Sequence, residues 1–211
     1  MALVVLVDSG VNIDHPHLRS GRDRIRLGPR FDPCEPPKRS IQDGDLLGHG
    51  TCVAAAIRDL APDARIVSIR IFDDRPVCAL DTVAAALEEA AGLRPDLVNL
   101  SFGSSSLEAA TRLEAGVRSL LAIGARILAP ADRFGLPAYP GLLAGVEGVA
   151  VDPNLPRGRA ERRGREAERL WFASPFPRDL PGIPRERNLF GSSLAVANVT
   201  GFLAAGGVAA D

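Results

Sequence analysis

The sequence predicts an α/β fold with a doubly wound, mostly parallel sheet flanked by helices, on the basis of two observations. Short runs rich in β-branched residues alternate with alanine-rich stretches along most of the 211 residues. Several of these runs are apolar throughout, which is typical of parallel strands that helices cover on both faces. Such alternation implies right-handed crossovers within one sheet. We expect a single domain over residues 1–211, because this length suffices for one sizeable core.

The predicted strands and helices alternate in chain order. The strands cover residues 2–8, 64–72, 95–102, 125–132 and 146–152. The helices between them cover residues 50–60, 79–93 and 106–124. In the second helix, Val83, Leu87 and Ala90 recur at positions i, i+4 and i+7, which predicts that this face is buried.

Two segments rich in proline, glycine and arginine, residues 19–47 and 153–188, are predicted to be loops of the same domain. Within the second, residues 157–169 mix charges of both signs. This pattern favours a solvated loop or a short helix over a binding patch.

The composition is that of an ordinary soluble globular protein, with 46% hydrophobic residues, 24% charged residues and a net charge of −1. This balance argues against a nucleic-acid or membrane partner. No run of 18 apolar residues occurs, and the N-terminus lacks a basic leader, so we expect neither a membrane span nor a signal peptide. Cys34, Cys52 and Cys78 lack metal-type spacing, which predicts no metal site and a reduced, cytoplasmic setting.

Three residue types with catalytic chemistry stand where strands end or helices begin. Asp8 ends the first strand, and ligands bind at the carboxyl ends of strands in open α/β sheets. His49 lies between two glycines directly before a helix, which allows other chain segments to approach closely. Ser192 and Ser193 begin an apolar run near the C-terminal end of the sequence. That pair is either the polar start of a buried helix, since serine is a favoured N-cap, or a reactive hydroxyl.

Five segments, taken together, resemble the subtilisin-like serine peptidases, the subtilases. They are "VVLVDSGVNIDHPHL", "GHGTCVAAAI", "LAPDARI", "LVNLSFGS" and "GSSLAVANVTG", and they occur in the family's order. Each segment alone is moderately specific, whereas five in register over most of the chain are a strong signal. The resemblance implies a subtilisin-like fold and a serine endopeptidase built as a minimal catalytic core.

The resemblance also implies a catalytic triad of Asp8, His49 and Ser193. The family's pattern has glycine, then threonine or serine, then the nucleophile, so Ser193 and not Ser192 is the reactive serine. A serine hydroxyl is a poor nucleophile until a base takes its proton. His49 would take that proton and later protonate the leaving amine, while Asp8 would orient the imidazole and stabilise the imidazolium.

A peptide or protein substrate is expected to lie as an extended strand beside residues 101–104, held by main-chain hydrogen bonds. The substrate-binding residues that the resemblance implies are Ser101, Phe102, Gly103, Ser104, Pro130, Ala131 and Ala138. The segment between Asp132 and Tyr139 is short, which trims one wall of the specificity pocket. With Ala138 at its floor, the pocket would leave room for a large side chain.

Asp132 departs from the family's pattern. The family places an asparagine after a strand to donate a hydrogen bond to the oxyanion, whereas "LAPADRFG" offers Asp132 there. An ionised carboxylate cannot donate, and it repels an oxyanion. Removal of such a donor costs about 10²–10³ in kcat, a magnitude that was itself measured in a subtilisin. Three alternatives stay open: Asp132 is protonated, another group substitutes for it, or the enzyme is slow.

The sequence thus predicts an intracellular serine endopeptidase of restricted specificity, for example one that processes a peptide precursor. We expect no pro-segment ahead of the first strand, and a helper protein is then one route to folding. No loop has the clustered acidic pattern of a calcium site, so no metal or cofactor is expected. The alternative is a catalytically weak or inactive module that binds peptides or a protein partner in the same groove. A nucleotide-binding protein is disfavoured, because no glycine-rich phosphate loop follows the first strand.

Overall fold

The computed structural model describes residues 1–33, 36–42, 44–164 and 169–208. Its strands are β1 (Leu3–Asp8), β2 (Ile25–Phe31), β3 (Arg39–Ile41), β4 (Arg65–Arg70), β5 (Leu97–Leu100), β6 (Arg126–Pro130), β7 (Asp132–Arg133), β8 (Leu136–Pro137), β9 (Val146–Val151), β10 (Ala160–Arg163) and β11 (Leu170–Ala173). Its α-helices are α1 (His49–Leu60), α2 (Leu80–Gly92), α3 (Leu107–Ala122) and α4 (Ser192–Ala204).

Nine of the strands form one sheet in the order β10-β11-β9-β6-β5-β1-β4-β2-β3. All neighbours from β11 to β2 pair in parallel, and only the outer pairs, β10 with β11 and β2 with β3, are antiparallel. After β4 the chain crosses to the opposite side of β1, so the strand order reverses there. The predicted fold class is confirmed, and β1 lies at the position where doubly wound folds place their ligand sites.

The sheet separates two hydrophobic cores, and β1 contributes to both. Val4 and Leu6 pack with the apolar residues of α1 and α4, whereas Val5 and Val7 pack with those of α2 and α3. Successive side chains of a strand point to opposite faces, so a strand covered on both faces must be apolar at every position. This requirement explains the uninterrupted run "LVVLV" in β1.

The predicted central strands and the three predicted helices are confirmed, with ends that differ by at most two residues. The prediction of loops over residues 19–47 and 153–188 is wrong in part, because these segments contribute β2, β3, β10 and β11. Polar and charged residues interrupt β2, β3 and β10, which hides them from a search for apolar runs, whereas β11 is apolar but only four residues long. In β10, for example, Arg162 and Arg163 lie over aromatic rings of β11. Within the predicted features, residues 34, 35, 43 and 165–168 lie outside the described residues.

Three neighbouring strands end at one edge of the sheet, and this edge positions the site. β1 ends at Asp8, β5 leads into residues 101–104, and β6 leads into Asp132. The helices α1 and α4, which pack together on the same face, begin at His49 and Ser192. Within the described ranges, no helix combines the length and the apolar character needed to cross a membrane.

Candidate active site

Asp8 and His49 are joined by a short hydrogen bond at the end of β1. The Asp8 side chain is fully buried, and its Oδ1 lies 2.7 Å from Nδ1 of His49 and accepts a second hydrogen bond from the Ser9 amide at 2.7 Å. Because a carboxylate can only accept, Nδ1 of His49 carries the shared proton. The neutral imidazole therefore presents an unprotonated Nε2, the atom that a general base needs.

The contact depends on a close approach of two backbones. His49 is the first residue of α1, and a Cβ added to Gly50 would lie 2.2 Å from the carbonyl oxygen of Gly10 and 3.2 Å from Oδ1 of Asp8. Only glycine at position 50 therefore lets the first turn of α1 rest on the turn that follows β1. Gly48 meets a different need, because its φ of 74° lies in the left-handed region that favours glycine.

The surroundings of His49 stabilise its protonated form. Burial alone lowers the pKa of an imidazole, but the charge and hydrogen bond of Asp8 and the charge of Asp45 outweigh it, so the pKa of His49 is raised. A histidine must be neutral to act as a base. Its activity as a base is therefore lost as the pH falls through this raised pKa.

Ser193 is the second residue of α4, and its hydroxyl is hydrogen-bonded to the backbone just after β5. Its Oγ donates to the carbonyl oxygen of Ser101 at 2.7 Å, and Oγ of Ser101 donates to the Ser193 carbonyl at 3.2 Å. The amides of Leu194 and Ala195 donate to the Gly191 carbonyl. The amide of Ser193 lies in the first turn, where the helix offers it no acceptor, at the end of the helix dipole that favours negative charge.

His49 and Ser193 line the same groove, which has a volume of about 830 Å³. Other predicted site residues that line it are Ser101, Phe102, Gly103, Ser104, Pro130 and Asp132. The groove is not lined by Asp8, Ala131 or Ala138, which are all buried in the protein. The methyl group of Ala138 would lie 3.1 Å from a Cβ on Gly103, so it packs directly against that glycine. The substrate-binding roles of these residues stay predictions.

Asp132 has a local partner that the sequence did not reveal. It begins a small hairpin of β7 and β8, and its Oδ2 accepts the amide of Gly135 at 2.6 Å. Phe134 and Gly135 turn the chain with φ values of 54° and 76°. Aspartate side chains commonly stabilise turns by accepting hydrogen bonds from nearby backbone amides, and here the amide is three residues on. The carboxylate therefore stabilises the hairpin whether or not it also meets an oxyanion.

The chain that returns from this hairpin pairs with a wall of the groove. Ser104 and Tyr139 exchange backbone hydrogen bonds of 2.9 and 2.8 Å in an antiparallel bridge. The main chain of Ser104 is thus already paired within the protein. A substrate strand beside residues 101–104 would therefore pair with residues 101–103.

Sequence reasoning missed Asp45 and Ser9, which hold the start of α1. Oδ2 of Asp45 accepts the amide of Thr51 at 2.8 Å, and its Oδ1 accepts the amide of Gly48 at 2.8 Å. Oγ of Ser9 accepts the amide of Gly50 at 2.9 Å. The sequence feature that could have indicated Asp45 is its position four residues before His49, since negative charge there stabilises a helix N-terminus.

The groove also has an apolar rim that no sequence motif indicated. Val77, Phe134 and Phe190 line it, and 68%, 92% and 71% of their surfaces are exposed, respectively. Apart from the titratable His49, the charged residues in the described lining of the groove are Glu108, Asp132 and Arg133. In the part of the chain that the structure describes, no three His, Cys, Asp or Glu side chains are grouped to hold a metal ion.

Comparisons with known proteins agree with this architecture. The Subtilase family model matches residues 2–128. Subtilisin BL of Lederbergia lenta is 30% identical over 210 residues, which cover 94% of this chain and 73% of that protein. A thermostable alkaline protease of Halalkalibacterium halodurans is 30% identical over 222 residues, which cover 96% of this chain and 56% of that protein.

Two solved structures share the fold at lower identity. A lanthipeptide protease matches with a TM-score of 0.72 and 18% identity, over 96% of this chain and 72% of that chain. The prenylagaramide maturation protease PagA matches with a TM-score of 0.66 and 20% identity, over 95% and 73% of the two chains. The chain belongs to the subtilase family, and it is a subtilisin-like serine endopeptidase.

The close approach at Gly50 gives a first prediction. Gly50→Ala should lower the free energy of unfolding by about 1–3 kcal/mol, because the new methyl group overlaps a backbone oxygen that cannot move aside. Urea unfolding measures the change. Gly92→Ala is the matched control, since Gly92 ends α2 with no atom near its Cβ position. A Gly50→Ala protein as stable as the Gly92→Ala protein would contradict the docking of α1 on this turn.

Proposed function

We propose that the chain cleaves peptide bonds through a triad of Asp8, His49 and Ser193. The observation that carries this proposal is the 2.7 Å hydrogen bond between Asp8 and His49, next to a groove that His49 and Ser193 share. Asp8 holds the imidazole in the tautomer whose Nε2 can accept a proton. Ser193 supplies the hydroxyl that becomes the nucleophile.

The resting hydrogen bond of Ser193 defines the first step. Its hydroxyl must leave the carbonyl of Ser101 and donate to Nε2 of His49 before it can attack. A substrate N–H that donates to the Ser101 carbonyl competes for the same acceptor and so favours this rotation. Substrate binding beside residues 101–104 is thereby coupled to activation of the nucleophile.

The remaining steps follow from the same groups. As Oγ attacks the scissile carbonyl carbon, His49 takes the hydroxyl proton, and the carbonyl oxygen becomes an oxyanion near the Ser193 amide and the start of α4. His49 then gives its proton to the leaving amine, which departs as the C–N bond breaks. Water, deprotonated by His49, hydrolyses the acyl-enzyme and restores Ser193.

We further propose that the substrate is a peptide precursor with apolar residues, processed inside the cell. The exposed side chains of Val77, Phe134 and Phe190 at the groove support an apolar peptide, because burial of such surface favours binding. Cys52 and Cys78 carry free thiols, in keeping with a reducing compartment. The two solved structures are named as a lanthipeptide protease and a maturation protease. Because their identity to this chain is low, they support the fold and not the choice of substrate.

A fluorophosphonate probe tests the triad directly, because it reacts with activated serine hydroxyls. Ser193→Ala should abolish both labelling and peptide cleavage, whereas Ser192→Ala should keep both, since Ser192 has no proposed role in the reaction. Circular dichroism verifies that both variants keep their fold. Loss of activity only in Ser192→Ala would place the nucleophile one residue earlier. A wild-type protein that binds peptides but neither labels nor cleaves would favour the inactive peptide-binding alternative.

Asp132 gives a further prediction. Where Asp132 is ionised in the site, Asp132→Asn should raise kcat by about 10-fold to 10²-fold, because it exchanges a repulsive carboxylate for an N–H donor to the oxyanion. Where Asp132 is protonated and already donates, the exchange should change kcat little near neutral pH. The asparagine carbonyl can still accept the Gly135 amide, so the hairpin is expected to survive. Asp132→Ala is the control that removes the charge without adding a donor.

The comparison is a pH–rate profile of the three proteins on one peptide. A gain in both variants assigns the effect to charge, and a gain in Asp132→Asn alone assigns it to donation. If Asp132→Asn is slower at every pH with its fold intact, Asp132 has another role in the site.

A further inference from the structure

Asp45 does not line the groove, and both oxygens of its carboxylate accept hydrogen bonds. Oδ1 accepts the Ser9 hydroxyl and the Gly48 amide, both at 2.8 Å. Oδ2 accepts the Thr51 amide at 2.8 Å and the Thr51 hydroxyl at 2.6 Å. These donors flank His49 on both sides in the chain. One carboxylate thus holds the backbone one residue before and two residues after His49.

Ser9 connects this arrangement to the other half of the triad. Its fully buried hydroxyl donates to Asp45 and accepts the Gly50 amide at 2.9 Å. The amide of the same residue donates to Oδ1 of Asp8 at 2.7 Å. Two hydrogen-bonded links, Asp45 to Ser9 and Ser9 to Asp8, therefore fix the first turn of α1 relative to the carboxylate that His49 meets.

We propose that Asp45 is a positioning residue for His49, which it holds in one orientation against Asp8 by fastening the first turn of α1 to the turn after β1. This inference rests on the proposed function. A misplacement of about 1 Å can lower an enzymatic rate by about 10². A short hydrogen bond such as that between Asp8 and His49 leaves little tolerance for such a shift.

The charges around His49 affect its pKa, and this effect distinguishes a positioning role of Asp45 from that of a purely structural helix cap. The negative groups that face the imidazole are Asp8, from the end of β1, and Asp45, from the segment before α1, and both raise the pKa of His49 against the effect of burial. The groove into which His49 opens is lined by the charged residues Glu108, Asp132 and Arg133. Removal of the Asp45 charge should therefore lower the pKa of His49.

The test compares Asp45→Asn with the wild type. An asparagine can accept at only one of its two side-chain atoms, so half of the hydrogen bonds are lost along with the charge. We expect kcat to fall about 10-fold to 10²-fold, with KM changed far less, and the acid limb of the kcat/KM profile to move to lower pH. Asp63→Asn is the control, because it removes an equal charge just beyond the other end of α1, from a side chain that is 84% exposed. It should leave rate and profile unchanged.

Ser9→Ala separates position from charge. It removes the connecting hydroxyl but keeps both carboxylates, so kcat should fall while the acid limb stays in place. This variant also keeps the proposal testable if Asp45→Asn fails to fold. Normal kcat in folded Ser9→Ala, or in folded Asp45→Asn, would overturn the proposal.

An NMR titration of His49 makes the result independent of turnover. His49→Gln assigns its signals among the three histidines of the chain. In Asp45→Asn the titration midpoint of His49 should fall relative to the wild type. An unchanged midpoint would overturn the proposal even in an active protein. If the wild type proves inactive, the proposed function fails, and the titration still decides the role of Asp45.

Discussion

The site depends on the contact between the first turn of α1 and the turn that follows β1. Two backbones meet where a single methyl group on Gly50 would lie 2.2 Å from an oxygen of Gly10. This contact places His49, which is far from Asp8 in sequence, within 2.7 Å of its carboxylate. The carboxylates of Asp8 and Asp45 then stabilise the contact. Hydrogen bonds of Asp45 are partly buried, so water competes less for them.

The topology of the sheet explains why the other components meet at the same place. The strands β6, β5 and β1 are neighbours, so their carboxyl ends present Asp132, Ser101 and Asp8 side by side along one edge. The two helices that pack on one face of the sheet begin at this edge and contribute His49 and Ser193. Four of the five residues belong to different elements and Ser101 directly follows β5, so the parallel arrangement of the strands is what brings them together.

The central sheet was predictable from sequence because strands covered on both faces must be apolar throughout. The edges were not, since charged residues in β10, such as Arg162 and Arg163, gain stability by stacking on rings that are distant in sequence. Local glycines, strand ends and helix starts gave only weak signals for Asp8, His49 and the serine pair, and the resemblance of five segments to the subtilases selected Asp8, His49 and Ser193. The hydrogen bond from Ser193 to Ser101 joins residues 92 positions apart, and no local pattern records such a pairing.

The protonation state of the His49 imidazole, which ¹⁵N NMR of the wild-type protein can measure, tests the contact between Asp8 and His49 most directly. Above the titration midpoint of His49, the nitrogen shifts should show a proton on Nδ1 and none on Nε2, because only that tautomer donates to Asp8. The midpoint itself should lie above the ordinary value for an imidazole, since the neighbouring carboxylates raise the pKa of His49. A neutral form protonated on Nε2 would mean that the contact with Asp8 is absent in solution, and it would contradict the account.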